Sequence, residues 1–246
     1  MTYDALMAAE YRTGRRLKAV DVDRWMSVAR PYLPSADGLV LDIGAGTGRF
    51  TAALAQACGA AVIACEPSAA MRSAWSVHHP QVTLVAGNAE ALPFRDNAFD
   101  AVWASQVVHH VGDLPAFAAN LRRVLRPSGH LLLRGGFGPA DRLPLFGYFP
   151  DAWKPGAAVS LALPAIAEVL ACHRVALVDR VPVTQVFAST AAELVGKVRT
   201  RSLSNLAALT DDLFEEGCSA LERDATIGAI TFPVVEHLDL VAFRSD

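Results

Sequence analysis

The sequence predicts an α/β protein: a Rossmann-like, doubly wound sheet of about seven strands, with N-terminal cap helices and a helical lid. Three observations predict it. The apolar run Leu39 to Ile43 carries one carboxylate, Asp42, and runs directly into Gly44, Gly46 and Gly48, as a buried parallel strand does where it ends in a tight turn. A second run, Ala60 to Cys65, likewise ends on one acid, in Glu66-Pro67-Ser68. Further apolar runs then alternate with helical stretches to the end of the chain.

Each element has its own signal. Val22 to Tyr32 reads as an amphipathic helix with Trp25, Val28 and Ala29 inward, stopped by Pro31 and Pro34. After the glycine turn, Arg49 to Ala57 is rich in helix formers, with apolar residues at 50, 53, 54 and 57. Ser68 opens a helix over Ala69 to Ser76, and Val82 to Ala86 alternates as a third strand. Asn97 to Gln106 supplies the fourth strand, Phe117 to Leu125 a helix, and Leu125 to Leu133 a turn followed by the fifth strand. Pro164 to Ala171 reads as helix, Val175 to Phe187 and Val234 to Phe243 as the last strands, and Thr190 to Ala225 as a helical insertion between them. Phe137, Leu143, Leu145, Phe146, Tyr148, Phe149 and Trp153 crowd a loop rich in proline and glycine. Two readings stay open there: they line an apolar substrate, or they pack against the cap helices.

Composition sets bounds. A chain of 246 residues can bury one substantial core, and it is read as a single domain with cap helices at 1–37, a core at 38–137 and a lid part at 138–246. Apolar residues make up 52% and charged residues 19%, which fits an ordinary folded protein. A net charge of -3 argues against a nucleic-acid partner, and Arg12, Arg15, Arg16 and Lys18 form too short a cluster to reverse that. No apolar run reaches membrane-spanning length and the first residues lack a secretory pattern, so the expected setting is cytoplasmic, as a monomer or homodimer. Cys58, Cys65, Cys172 and Cys218 share no Cys-x-x-Cys spacing, so free, buried or half-buried thiols are expected, with no metal site.

Glycines at 44 and 46 let a ligand approach bare main chain, and spacing narrows the ligand. The dinucleotide fingerprint Gly-x-Gly-x-x-Gly would need glycine where Arg49 stands. Asp42 followed by Gly44-Ala45-Gly46-Thr47-Gly48 resembles instead motif I of the class I S-adenosylmethionine-dependent methyltransferases. Gly87-Asn88-Ala89-Glu90-Ala91-Leu92-Pro93-Phe94 is similar, nearly residue for residue, to that family's Gly-Asp-Ala-Glu-x-Leu-Pro-Phe segment. Val107-Val108-His109-His110-Val111 before Asp113 resembles the Leu-His-His-Leu-x-Asp segment of its ubiquinone- and menaquinone-type group. Tyr11 to Arg15 resembles its Tyr-x-x-Gly-Arg segment, and Leu125 to Gly129 its Leu-x-Pro-Gly-Gly turn, with Ser128 for the first glycine. The likeness is dense from about 38 to 137 and thin on both sides.

The resemblance implies roles. S-adenosylmethionine, leaving as S-adenosylhomocysteine, would have its methionine half against Gly44, Ala45, Gly46 and Gly48 and its ammonium held by Asp42. Glu66, beside Pro67, would accept from both ribose hydroxyls, which suits a group with two acceptor oxygens and serves nicotinamide folds equally. Met71 would lie against the adenine, while Asn88, Ala89 and Glu90 belong to the segment that reads its edge. Asn88 stands where aspartate is usual, keeping an acceptor but losing a charge-assisted bond. Tyr11 and Arg15 would fold over the cofactor, the arginine facing its carboxylate. Ser105 to His110 would face the sulfonium, where His109 or His110 either acts as general base or merely caps the pocket. The implied activity is methyl transfer to oxygen, nitrogen or carbon of a small, fairly apolar molecule, possible in secondary metabolism. The rivals are a nicotinamide-dependent oxidoreductase and an S-adenosylmethionine-binding protein without transferase activity.

Overall fold

A computed structural model describes residue 14 and residues 17–137, 145–153 and 162–246, so Tyr11 and Arg15 lie outside the described residues. Among the described residues there are seven strands, β1 (Leu39–Ile43), β2 (Ala61–Glu66), β3 (Val82–Ala86), β4 (Phe99–Ser105), β5 (Leu125–Gly135), β6 (Val175–Ala188) and β7 (Val234–Ser245). They form one sheet in the order β3-β2-β1-β4-β5-β7-β6. Strands β1 to β5 run parallel, and β7 is antiparallel to both its neighbours. Strand order reverses between β1 and β4, which opens a crevice at their carboxyl ends.

The alternation of side chains decides which layer each residue joins. Leu41, Ile43, Val102, Leu131 and Leu133 face α4 (Leu114–Val124) and α5 (Leu163–Cys172), in a core that includes Phe117, Leu121, Ile166 and Leu170. Val40, Val62, Trp103 and Leu132 face the opposite way, onto α1 (Ala19–Ala29) and α2 (Thr51–Cys58), through Trp25, Ala29, Phe50 and Leu54. Strands buried on both faces must read as unbroken apolar runs, so Asp42 stands out.

Boundaries moved where turn geometry intervened. The helix predicted from Arg49 starts at Thr51, because Gly48 holds φ +90° and Phe50 is its N-cap. Short helix α3 (Ala69–Ser73) is capped by Ser68, whose Oγ accepts from the Met71 amide at 3.2 Å. It stops early because Trp75 turns beside Gly48, its indole N–H donating to the Val77 carbonyl at 3.1 Å. The turn expected near Ser128 lies inside a continuous β5, where Ser128 itself takes φ +65°.

Helices α6 (Ala191–Arg199), α7 (Ser204–Ala207) and α8 (Asp211–Thr226) fill the insertion between β6 and β7. The aromatic loop serves this layer: Leu145 and Phe149 are buried with Phe187, Leu194, Val198, Phe214 and Leu221. Tyr148 donates its hydroxyl to Asp224 at 2.9 Å. These side chains therefore pack the lid, and Phe137 packs against the main core. Leu143 is outside the described residues. Gly217 explains the close approach, since a Cβ there would sit 2.3 Å from Phe149 Cε1 and 2.6 Å from the Tyr148 carbonyl oxygen. Gly217→Ala should raise helix propensity by about 1 kcal/mol yet destabilise the lid by roughly 1–3 kcal/mol through overpacking. Hydrogen exchange should quicken in α8 and in 145–153 and stay unchanged in β1 to β5.

Cys58, Cys65 and Cys218 are buried and Cys172 is exposed, all as free thiols. Among the described residues no helix is long and apolar enough to cross a membrane, and no group of three or more His, Cys, Asp or Glu side chains is placed to hold a metal.

Candidate functional site at the strand tips

The carboxyl ends of β1, β2 and β3 are neighbours in register, with Asp42 opposite Ala64 and Glu66 opposite Ala86. Asp42 is 2% exposed and accepts a hydrogen bond from Thr51 Oγ1 at 2.6 Å. Burial pushes its carboxyl up to about 7, against the smaller opposing effect of the Thr51 hydroxyl. Glu66 is also buried, and each of its oxygens takes one backbone N–H: Gly46 on Oε2 and Ser68 on Oε1, both at 2.8 Å. Its carboxyl too is raised by burial. Pro67 is exposed, Met71 is buried behind it, and Arg72 donates to the Glu66 and Pro67 carbonyls at 2.8 Å.

The glycine turn completes this cradle. Gly44, Gly46 and Gly48 hold φ +62°, +60° and +90°, in the left-handed region closed to most side chains. The Gly44 and Ala45 amides donate to the Cys65 carbonyl at 2.8 and 3.3 Å, tying the turn to β2. A Cβ on Gly44 would lie 2.6 Å from Val107 Cγ2. Beside the turn is a cleft lined by Asp42, Gly44, Ala45, Thr47, Arg49, Phe50 and Ser105.

Two residues beyond β3, Asn88 is exposed, and its Oδ1 accepts from the Glu90 amide at 3.1 Å. Ala89 is half-buried against the main core. Glu90 Oε1 accepts from the Gly112 and Asp113 amides at 2.6 and 3.0 Å. That carboxylate thus braces the segment after β3 against the loop after β4. His109 and His110 occupy a single 3-10 turn, Val108–His110, with ring centroids 4.0 Å apart. Neither is among the residues lining the cleft.

Several site residues carried weaker signals. Thr51 was an ordinary first-turn helix residue until its hydroxyl met Asp42. Arg134 follows the apolar run Leu131 to Leu133 of β5, as Asp42 follows Leu39 to Leu41 in β1, and is 2% exposed. It donates to Ser105 Oγ at 3.1 Å and to Gln185 Oε1 at 2.6 Å. Gln106 takes φ +59°, rare for a residue with a Cβ.

The donor set suits an amino-acid nucleoside: a buried carboxylate for an ammonium, a two-oxygen acceptor one strand over, and bare main chain between them. Residues 41–133 match the model of a methyltransferase domain family. A demethylmenaquinone methyltransferase of Streptomyces avermitilis is 35% identical over 133 residues, 54% of this chain and 53% of that protein. The chain spans about half the length of the curated relatives it matches. A putative methyltransferase from an antibiotic biosynthesis pathway of Anabaena variabilis superposes with a TM-score of 0.72 at 25% identity, covering 93% of this chain and 100% of that one. The 4+2 cyclase SpnF shares the fold, with a TM-score of 0.58 at 19% identity over 94% of this chain and 84% of its own. Motif spacing, strand order and matched segment agree: through residues 41–133 the chain is similar to the class I S-adenosylmethionine-dependent methyltransferases.

Proposed function

We propose that this protein moves a methyl group from S-adenosylmethionine to oxygen, nitrogen or carbon of a small molecule. The observation that carries the reading is that Asp42, Glu66 and Asn88 stand at or just beyond the carboxyl ends of three adjacent strands, each two residues past the register partner of the one before, neighbouring strands being about 4.8 Å apart. In this reading Asp42 holds the ammonium, Glu66 the ribose hydroxyls, and Asn88 with the Ala89 backbone the adenine edge. Met71 backs the adenine, Glu90 braces the adenine loop, and Tyr11 and Arg15 fold over the cofactor from the N-terminal segment. The cofactor supplies an electrophilic sulfonium methyl. The chain's task is to align the acceptor and exclude water, and alignment of that kind is worth roughly 7–11 kcal/mol. Ser105 stands at the switch point where the methyl is handed over, with His109 or His110 as the base for an acceptor that must lose a proton. The part from 138 to 246 supplies the acceptor side, the lid and the last strands of one domain working in the cytoplasm as a monomer or homodimer, a place in secondary metabolism being consistent with the antibiotic-pathway neighbour.

A second reading, cofactor binding without methyl transfer, is favoured by one observation: the same fold is used by a cyclase. The test is incubation with methyl-labelled S-adenosylmethionine and a metabolite library, read by mass spectrometry, beside melting curves with each cofactor. Label should enter a small product, and S-adenosylmethionine should raise the melting temperature where NADH does not. Cofactor bound without labelled product would favour the second reading. Stabilisation by NADH alone would return the protein to the oxidoreductases.

A further inference from the structure

A second cleft adjoins the first, over the tips of β4 to β7 and under lid helix α6. It is lined by Arg49, Gln106, Arg134, Gln185, Lys197 and Glu236, with Gly14, Leu17, Val186 and Phe187. Arg49 lines both clefts, and the consecutive residues Ser105 and Gln106 line one each. A group held in the second cleft therefore lies next to the point where the methyl would be delivered.

Its charge is lopsided. Among the described residues three cations line it against the carboxylate of Glu236, whose Oε2 accepts from Gln185 Nε2 at 2.6 Å; Glu193, the ion-pair partner of Lys197, stands outside the lining. Arg134 is fixed rather than mobile. Its guanidinium lies 4.3 Å from the Trp25 ring centroid and 4.9 Å from that of Phe50, and Ser105 and Gln185 hold its nitrogens. Gln185 is itself fixed, since its Oε1 also accepts from Trp25 Nε1 at 2.9 Å. Lys197 Nζ is anchored by the Phe187 carbonyl and pairs with Glu193 at 2.9 Å. The left-handed backbone at Gln106 is held by its amide on the Arg134 carbonyl at 2.8 Å, and strain of this kind gathers at functional sites. A neutral apolar group entering here would lie against buried cationic groups and offer them no acceptor, which is costly. An oxyanion would add charge-assisted acceptors, and a planar fork suits a carboxylate best.

We infer that this cleft binds a carboxylate carried by the methyl acceptor, with Arg134 and Lys197 as its specificity-determining residues. The inference rests on the methyltransferase reading for the word acceptor, and the rest of that molecule is free to be apolar. The probes are benzoate and its neutral isostere benzamide, titrated calorimetrically into the full chain saturated with S-adenosylhomocysteine. Benzoate should bind at least tenfold more tightly than benzamide. Arg134→Gln and Lys197→Gln should each weaken benzoate fivefold or more, and Lys197→Gln should leave S-adenosylhomocysteine affinity unchanged within twofold. Lys197→Gln carries the test if the buried Arg134 variant fails to fold. Equal binding of the two probes, no binding of benzoate, or unaltered benzoate binding in Lys197→Gln would overturn the inference. So would a parallel loss of S-adenosylhomocysteine affinity, which would assign the cations to the cofactor's own carboxylate. If S-adenosylhomocysteine does not bind the unaltered protein, the methyltransferase reading falls; the benzoate titration without it still decides whether the cleft selects a carboxylate.

Discussion

Glu66→Ala should weaken S-adenosylhomocysteine binding by about 100-fold or more and leave the sheet folded. Two ribose hydroxyls donating to one carboxylate are worth roughly 1.5–3 kcal/mol each, and a total near 3 kcal/mol already exceeds 100-fold. The substitution also strips the acceptor from the Gly46 and Ser68 amides, so the glycine turn loses its tie to the tip of β2. Glu66→Gln separates the two effects. Its amide nitrogen must face one of those two N–H donors, so an intermediate loss of about tenfold is expected. Burial works against the ionised Glu66 carboxyl, so alanine there removes no net stabilisation from charge. Calorimetry gives the affinity, and the melting curve checks the fold. Binding within threefold of the unaltered protein would show that the cofactor's diol lies elsewhere.

What could be read from the chain, and what could not, follows from how far apart the interacting residues are. Asp42 and Glu66 were legible as carboxylates at the strand ends because a single acid in an apolar run before a turn stands out from its neighbours. Their partners are near in sequence as well: Thr51 lies nine residues from Asp42 and Gly46 twenty from Glu66. Arg134 gives the same kind of signal. Its meaning depends on Gln185, 51 residues away on a strand that reaches it only through the antiparallel β7. The lid aromatics were ambiguous for the same reason, since Tyr148 meets Asp224 across 76 residues. Composition could mark that loop as needing apolar company but not say which helices would supply it. Glu90 shows the limit of likeness by motif: the segment was recognised, yet its carboxylate turns to Gly112 and Asp113, a partnership set by the local path of the loop after β4.

Asp42→Asn should make the cofactor-free protein more stable at pH 8 while weakening S-adenosylhomocysteine binding by roughly 10- to 100-fold, the worth of one hydrogen bond to a charged group. Burial raises the native carboxyl from 3.8 to about 7, so the native state holds this proton more tightly than the unfolded chain does. Between about pH 4 and 7 the unfolded chain has lost the proton and the native state has not. Stability therefore falls as pH rises through that window and is level above it. An amide is neutral throughout and can still accept from the Thr51 hydroxyl. Its gain is absent at pH 4 and full above pH 7, at roughly 1–3 kcal/mol or about 3–9 °C in melting temperature. Binding shows the opposite face of the same ionisation. An ammonium needs the charged form of Asp42, so the affinity of the unaltered protein should fall as pH drops below about 7, by up to tenfold per unit. Proton release on binding, read from calorimetry in buffers of different ionisation enthalpy, should be clear near pH 7 and much reduced in Asp42→Asn, with any remainder assigned to Glu66. A variant that is both weaker in binding and less stable at pH 8 would mean that Asp42 supports the fold rather than the ligand.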